Sequence, residues 1–426
     1  MNRHSLAKLF QRDTILGISN GYLAVGGNFL LQILLVRLLG QSSFGLFALL
    51  RNNSQMIGGF AAFGLDSVVI NRIKGERDQA MIRESGRRLF WSCLLIVAML
   101  ALLFWLPITF LADYDILSSQ ALWLTLFAGW CLGSTIILTS QVRAYGNSIA
   151  ALFIQRSVAP IALIASIMGL LWADLLDLFS SALAFAGTSL IVFLLAVALL
   201  VKTWAALPSK AVDGDRIEPV VPLMREALPY FFVALSGIAG SRIPIYVGGL
   251  ILSFAQLGSL VLMTSVAGLV MIGLFSINLL YGPKVAECFA RGMTRESHDG
   301  LMGEIRFFAL LSTIIGIAGA AIALPAIRFL TQEENLIPLL PFSLIVLAAI
   351  IGSLANIPST VLKFAGKQVM LARITNVSIL VKIALAVILG IQFGLIGFAI
   401  AEFVQAISIG TLVRHQHAKL VRDLPN

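Results

Sequence analysis

Charged residues are scarce in this sequence. Of its 426 residues only 12% are charged and 59% are hydrophobic, and the mean hydropathy is +0.95. Soluble domains carry about 25% charged residues, so this composition excludes an ordinary soluble protein. The sequence therefore predicts a polytopic membrane protein. The formal charge of +9 is informative through its placement along the chain, and we expect no nucleic-acid partner.

Cysteine, histidine and catalytic motifs are equally scarce. The three cysteines, Cys93, Cys131 and Cys288, lie in or beside separate apolar runs, without metal-binding spacing or a disulfide framework. All four histidines fall in predicted cytoplasmic segments, and the sequence contains no Walker A motif and no G-x-S-x-G motif. We therefore expect no metal, no cofactor and no catalytic residues, and we do not expect an enzyme or an ATP-driven exporter.

Long apolar runs dominate instead. A bilayer core needs about 20 apolar residues per helix, and this criterion predicts an all-α fold with twelve transmembrane helices. We expect residues 1–12 to form a short amphipathic segment at the cytoplasmic interface. The twelve helices are predicted near residues 15–36, 44–70, 89–111, 119–140, 154–173, 180–204, 227–250, 256–281, 305–329, 338–362, 374–392 and 395–413.

The distribution of Lys and Arg predicts the orientation. If both termini are cytoplasmic, 25 of the 30 basic residues fall in inside segments, and only Arg37 and Arg328 fall at outer ends. The three others, Arg51, Arg242 and Lys382, lie within predicted helices. This asymmetry follows the positive-inside rule and indicates cytoplasmic termini.

Residues 205–224 are predicted to be a cytoplasmic linker, because they hold three prolines and mixed charge. The linker divides the chain into an N-terminal lobe, residues 1–204 with helices one to six, and a C-terminal lobe, residues 225–426 with helices seven to twelve and a basic tail. Even-numbered halves predict parallel repeats related by a pseudo-twofold axis along the membrane normal, with substrate held between the lobes.

Two weak sequence echoes support this repeat. The first sets Phe44-Gly45 beside Leu257-Gly258, and the second sets Arg143–Asn147 beside Lys363–Lys367. Chance similarity between apolar helices is the alternative explanation for both.

Five consecutive polar residues, Arg51 to Gln55, interrupt the second predicted helix. An Arg at mid-bilayer costs roughly 2.5–3.5 kcal/mol on insertion scales, so the run predicts a functional site. Arg51 lies about 10 Å below the outer end of its helix, and Arg242 lies at a similar depth in the other lobe. Lys382 lies near the middle of its helix.

Each charge also has a structural interpretation. Arg51 could reach the outer surface with its long side chain, Arg242 could pair with a carboxylate such as Glu402, and Asp66 could form an interface salt bridge near Arg72. Small and polar residues also recur on one face of the first helix, including Asn28 and Gln32. This face could serve either close helix packing or the lining of a cavity. Gln405 lies one turn from Glu402.

Two segments resemble a known family. Arg37 to Leu49, RLLGQSSFGLFAL, resembles the first-loop signature of polysaccharide flippases in the multidrug/oligosaccharidyl-lipid/polysaccharide (MOP) exporter superfamily. Arg143–Asn147 resembles the second recurrent motif of these flippases. The resemblance implies a Wzx-type flippase of the bacterial inner membrane, which moves an undecaprenyl-pyrophosphate-linked oligosaccharide such as an O-antigen repeat unit to the outer leaflet. Lipid II flippases of this superfamily typically have fourteen helices, for which this chain lacks room.

This resemblance assigns roles to the polar residues. The pyrophosphate is expected at the three basic residues Arg51, Arg242 and Lys382, because guanidinium matches phosphate oxygens bidentately. The sugars are expected at five amide side chains, which are Asn28, Gln32, Asn52, Asn53 and Gln405. Ion coupling is expected at the carboxylates Glu402 and Asp66.

The expected partners are membrane lipids, the lipid-linked oligosaccharide, a glycan polymerase and a chain-length regulator. Two alternatives remain open at this point. A cation-coupled multidrug or small-solute antiporter would need an acidic cavity, whereas a non-transporting scaffold of a glycan-assembly complex would tolerate substitutions in the cavity.

Overall fold

A computed structural model describes residues 12–75, 79–111, 119–207, 219–290, 293–331 and 336–425. The described chain is built from helices and short connections. Their bounds are α1 Arg12–Leu39, α2 Gln41–Ala62, α3 Leu65–Gly75, α4 Gln79–Leu111, α5 Ser119–Ala144, α6 Ser148–Phe153, α7 Ala159–Trp172, α8 Leu178–Ala205, α9 Val220–Ile251, α10 Phe254–Ala290, α11 Arg295–Thr331, α12 Leu339–Phe364, α13 Gln368–Phe393 and α14 Leu395–Arg422. A π-helical turn, Ile154–Val158, joins α6 to α7.

The prediction of an all-α membrane protein is confirmed. Within the described residues, nine helices are long and apolar enough to cross a membrane, and eleven are if each of two bent pairs counts as one span. A shorter apolar helix, Leu23–Leu39, overlaps the first predicted span. The total of twelve stays a prediction, and the predicted amphipathic segment falls on residues 1–11, outside the described residues.

The second predicted helix, residues 44–70, is two helices that meet at a bend of 43°. Phe63 and Gly64 adopt positive φ angles of 49° and 73° there, which ends the α-helical hydrogen bonding of α2. Gly64 also lies so close to α9 that an added Cβ would be 2.6 Å from the backbone nitrogen of Phe231. Only glycine satisfies both conditions at position 64. The apolar run in the sequence continues through this position, although helix α2 ends before it.

The echo between Arg143–Asn147 and Lys363–Lys367 corresponds to two copies of one helix ending. Gly146 and Gly366 both have positive φ angles, 95° and 76°. The next N–H groups, of Asn147 and Lys367, donate to carbonyls five residues earlier, over 3.2 and 3.0 Å. This is the Schellman arrangement, in which glycine is favoured at the left-handed position. The Arg143–Asn147 motif therefore encodes a helix end, which its counterpart repeats.

The echo between Gly45 and Gly258 marks a contact between the two repeats. An added Cβ on Gly45 would overlap the carbonyl oxygen of Phe254, and one on Gly258 would be 2.9 Å from that of Gln41. Positions 41 and 254 are separated along the chain by the same number of residues as the two glycines. Each glycine therefore contacts the residue equivalent to the one that the other glycine contacts. Such reciprocal contacts are typical of a twofold axis, and the pseudo-twofold arrangement of two six-helix lobes stays a prediction.

The described chain forms two compact units. One contains the residues up to Gly45 together with those from Ile243 onward, and the other is Leu46–Arg242. Both boundaries fall inside helices, α2 and α9, whereas the sequence placed the division in the linker 205–224. Most of that linker, residues 208–218, lies outside the described residues, and the division into lobes 1–204 and 225–426 stays a prediction.

Candidate functional site

The polar run Arg51–Gln55 lies on α2, inside the unit Leu46–Arg242. Asn52, Asn53 and Ser54 are buried, with exposed fractions of 2%, 4% and 1%, and Arg51 is partly buried. Ser54 is accommodated locally, because its hydroxyl donates to the carbonyl of Leu50 at 3.1 Å. Asn52 has contacts both within α2, where its Nδ2 lies 3.7 Å from Met56 Sδ, and with another helix.

Helix α9 supplies one partner and a second guanidinium. Asn52 Nδ2 donates to the backbone carbonyl of Arg242 at 3.0 Å, which fixes that turn of α9 against α2. The guanidinium groups of Arg51 and Arg242 lie within electrostatic range of each other. Two like charges thus influence each other within helices of a membrane protein, where each charge is already unfavourable by itself. An anion bound beside both groups would relieve this repulsion.

Two acceptors of the same run have no partner among the described residues. These are the side-chain carbonyl oxygens of Asn52 and Asn53, both in the buried interior. A buried acceptor without a hydrogen bond costs roughly 1–3 kcal/mol, so these positions are suited to a bound donor such as water or a sugar hydroxyl.

Lys382 and Glu402 form an ion pair in the other unit. Lys382 Nζ lies 2.5 Å from Glu402 Oε1, and the two side chains are 5% and 24% exposed. This bond joins α13 to α14. Of the interpretations open for Glu402, pairing with a basic residue is therefore observed, but the residue is Lys382 rather than Arg242.

The amide side chains proposed for sugar binding differ in their surroundings. Asn28 Nδ2 donates to Ala24 O of its own helix at 2.8 Å. Gln32 is buried, and its Oε1 has no hydrogen-bond partner among the described residues. Gln405 is partly buried on α14. All three belong to the unit that contains Lys382 and Glu402.

Asp66 lies at the start of α3, in the unit of Arg51 and Arg242. Arg72, its suggested partner, instead bonds Glu226 of α9 twice, with Nη2 and Nε at 2.6 and 2.9 Å from Oε2. Asp66 lies within electrostatic range of Arg143, which belongs to the second family motif. Both carboxylates predicted to couple ions therefore have a basic residue nearby.

Sequence reasoning missed the role of Gln41. Its Nε2 donates to Ala255 O at 3.0 Å and to Ser259 Oγ at 2.7 Å, beside the Gly45–Gly258 contact. The signal was a polar residue within the first family motif. Because Gln41 begins α2, its side chain points to the partner repeat and joins the starts of α2 and α10.

No group of three or more His, Cys, Asp or Glu side chains suited to a metal ion occurs within the described ranges. The site is therefore defined by basic and amide side chains. Such groups bind anions and hydroxyls through charge-assisted and neutral hydrogen bonds.

Solved structures with the same fold are membrane transporters. An inward-facing multidrug resistance transporter of the MATE family in the MOP superfamily matches with a TM-score of 0.71 at 13% identity, over 96% of this chain and 99% of that one. A MOP superfamily transporter from Pyrococcus furiosus matches with 0.62 at 12% identity, over 96% of each chain. The inward closed lipid II flippase MurJ matches with 0.67 at 15% identity, over 96% of this chain and 87% of MurJ.

The chain is thus a multi-pass membrane protein with the fold of these transporters. No curated protein sequence matches the chain significantly. The family model described as polysaccharide biosynthesis protein matches residues 11–281, well over half of the chain. The chain belongs to this family of polysaccharide biosynthesis proteins, and the family resemblance stated from its two motifs is confirmed.

Proposed function

We propose that this protein is a flippase for an undecaprenyl-pyrophosphate-linked oligosaccharide, such as an O-antigen repeat unit, in the bacterial inner membrane. The single observation that carries the proposal is the pair of guanidinium groups, Arg51 and Arg242, which lie within electrostatic range of each other on helices α2 and α9, where Asn52 bonds the backbone of Arg242. A pyrophosphate has two adjacent anionic groups, and each guanidinium can bind one of them bidentately. A bound pyrophosphate would offset the repulsion between the two arginines with two attractions.

The neighbouring amides suit the sugar portion of the same molecule. The Oδ1 atoms of Asn52 and Asn53, which have no hydrogen-bond partner in the described ranges, are acceptors, and sugar hydroxyls are donors. Asn28, Gln32 and Gln405 are proposed for further sugar contacts. The polyprenyl tail needs no polar site, because it can remain in the lipid.

The ion pair of Lys382 with Glu402 reduces the number of residues that we assign to the proposed phosphate site. Lys382 was predicted to bind phosphate together with Arg51 and Arg242, yet its charge is already balanced by Glu402. We therefore assign the pyrophosphate first to the two arginines. Lys382 reaches a phosphate only if the bond to Glu402 opens.

The proposed transport mechanism is alternating access between two lobes, with both termini in the cytoplasm. Net negative charge that moves outward gains about 2.3 kcal/mol per charge for each 100 mV, when the inside is negative. The membrane potential can therefore drive the flip without a chemical step. A glycan polymerase and a chain-length regulator are the proposed protein partners.

The main rival is a cation-coupled multidrug antiporter. A cationic drug would require negative charge in the cavity, whereas the candidate site has two adjacent arginines. Asp66 and Glu402, the carboxylates that could serve this purpose, each lie near a basic residue. This balance favours an anionic substrate.

The test replaces Arg51 or Arg242 by Ala in a strain that lacks its own copy of the gene. Arg37→Ala is the matched control, because Arg37 is an exposed arginine on α1. We expect loss of surface polysaccharide in both site variants, with normal polysaccharide in the control and equal protein in the membrane. Unchanged polysaccharide in the site variants would support the scaffold alternative, and altered drug susceptibility alone would support the antiporter.

A further inference from the structure

Helix α13 presents two different faces. Its large apolar side chains Val377, Leu380, Ile388 and Ile391 are at least half exposed, as lipid contacts are. The buried positions recur at three- and four-residue steps on the opposite face, and they are Ser378, Ile379, Lys382 and Ala386. Lys382 is only 4% exposed. Its side chain therefore enters the packing between helices, and it does not extend to lipid or to the membrane surface.

The geometry of the hairpin explains why Lys382 meets Glu402. Gly394 alone separates α13 from α14, and its φ of 57° allows the reversal. Lys382 lies twelve residues before this turn and Glu402 eight residues after it, at depths of about 18 and 12 Å. The four-carbon stem of lysine bridges the difference. The ammonium thus reaches Glu402 Oε1 at 2.5 Å.

A carboxylate within a membrane helix is the ordinary place for a transporter to bind a proton or a coupling cation. At Glu402 the ammonium group of Lys382 already occupies this position. To bind a mobile cation there, the protein would have to separate Lys382 from Glu402 and move a buried ammonium away from its counter-charge, which is strongly unfavourable.

We infer that Lys382 is the resident counter-cation of Glu402, so that Glu402 takes up neither a sodium ion nor a proton during transport. Lys382 is then a specificity-determining residue, because it excludes coupling cations from the α13–α14 pair. The inference rests on the proposed function only in treating the chain as a transporter. In the other unit, Asp66 likewise has a basic residue, Arg143, within electrostatic range.

Other charged residues lie far from this pair along the helices. Helices α10 and α12 pack against α14, and their charged residues are Lys284, Glu287 and Lys363. Each of them is 24 or more residues after the first residue of its helix, which is about 36 Å or more along the helix axis. The nearest basic residue on α13 itself is Arg373 and on α14 it is Arg414, each more than two turns away. Lys382 is therefore the basic residue that lies against Glu402.

The experiment measures the thermal stability of the purified full-length protein in sodium chloride and in choline chloride of equal concentration, at neutral and at acid pH. The variants are Lys382→Met, Glu402→Gln and the double substitution, and Asp423→Asn is a control for a carboxylate beyond the end of α14. We expect the Tm of the wild type to be the same in the two salts. Acid pH should raise the Tm of the wild type no more than it raises the Tm of Glu402→Gln. The Tm of Lys382→Met should rise by about 2 °C or more in sodium or in acid, because a cation can then bind the Glu402 carboxylate in place of the lysine. The double variant should lose this gain.

Two results would overturn the inference. One is a wild type stabilised by sodium or acid in a manner that Glu402→Gln abolishes, since Glu402 would then bind a mobile cation. The other is a Lys382→Met protein without any cation dependence, since the pair would then be only a packing contact. Neither readout uses the lipid-linked substrate, so failure here is distinct from failure of the proposed flippase function.

Discussion

Two regions of this molecule place charge in a membrane in opposite ways. In the unit Leu46–Arg242, two basic side chains, Arg51 and Arg242, lie near each other. In the other unit, a basic and an acidic side chain, Lys382 and Glu402, are in direct contact. The second pair attracts and is neutral by itself. The first pair carries two like charges, and in the proposed function the ligand supplies the anion that binds them.

The polar groups around the two regions agree with this distinction. Beside the arginines, Asn52 and Asn53 have buried oxygens without partners in the described part of the chain. Unsatisfied acceptors and like charges within electrostatic range agree with the proposal of a polar, anionic ligand at this site.

The largest expected effect comes from replacing one arginine of the pair by an acidic residue, so that the pair becomes oppositely charged like Lys382 and Glu402. Arg51→Glu should abolish surface polysaccharide, and it should raise the Tm of the purified protein, because a repulsion becomes an attraction. Thermal unfolding and polysaccharide assays check both parts, with Arg51→Ala as the comparison. A less stable but active Arg51→Glu protein would contradict the assignment.

The converse change removes half of the lysine–glutamate pair. Lys382→Ala should lower the free energy of unfolding by at most about 3–5 kcal/mol, because the partly buried carboxylate of Glu402 loses its counter-charge. The double variant Lys382→Leu/Glu402→Met should regain most of this loss. Denaturation in detergent measures both, and equal destabilisation in the single and double variants would show that the charge pair is not the cause.

The contact between the repeats predicts a smaller, graded effect. Gly45→Ala should destabilise the protein by about 1–3 kcal/mol, because the added methyl group overlaps the Phe254 carbonyl. Gly258→Ala should have a weaker effect, and Gly268→Ala, with open space at its Cβ, should have the least. Thermal unfolding of the three variants gives the order. Equal effects at positions 45 and 268 would contradict the close approach.

The smallest expected effect tests geometry against charge. Arg51→Lys keeps the positive charge and loses bidentate binding, so we expect about tenfold weaker pyrophosphate binding, equivalent to about 1.4 kcal/mol. Lys382→Arg, which keeps the charge in the lysine–glutamate pair, should leave pyrophosphate binding unchanged. Binding isotherms of the two variants check this contrast, and equal losses would remove the distinction between the regions.

Much of this organisation follows from sequence, because it is local. Apolar length predicts the helices, the polar run Arg51–Gln55 identifies the candidate site, and glycine at 146 and 366 marks repeated helix ends. The partner of Lys382 was not predictable in the same way. Glu402 belongs to the following helix, and their contact depends on where the α13–α14 turn falls and on which faces the two helices share.

The bend at Phe63 and the contact of Gly45 with α10 were also beyond sequence reasoning. At Phe63 the hydrophobic pattern is continuous, so nothing in it indicates that the helix ends. The Gly45–Gly258 contact was present only as a weak echo, since a glycine in an apolar run indicates close packing without naming the partner.

The central claim is that Arg51 and Arg242 hold the pyrophosphate, whereas Lys382 and Glu402 balance each other. The most direct test is the binding of a polyprenyl pyrophosphate to the purified protein, with the matching polyprenyl alcohol as control. We predict that Arg51→Ala/Arg242→Ala loses the preference for the pyrophosphate and that Lys382→Leu/Glu402→Met retains it. A preference that survives the loss of both arginines, or that disappears with the lysine–glutamate pair, would contradict the account.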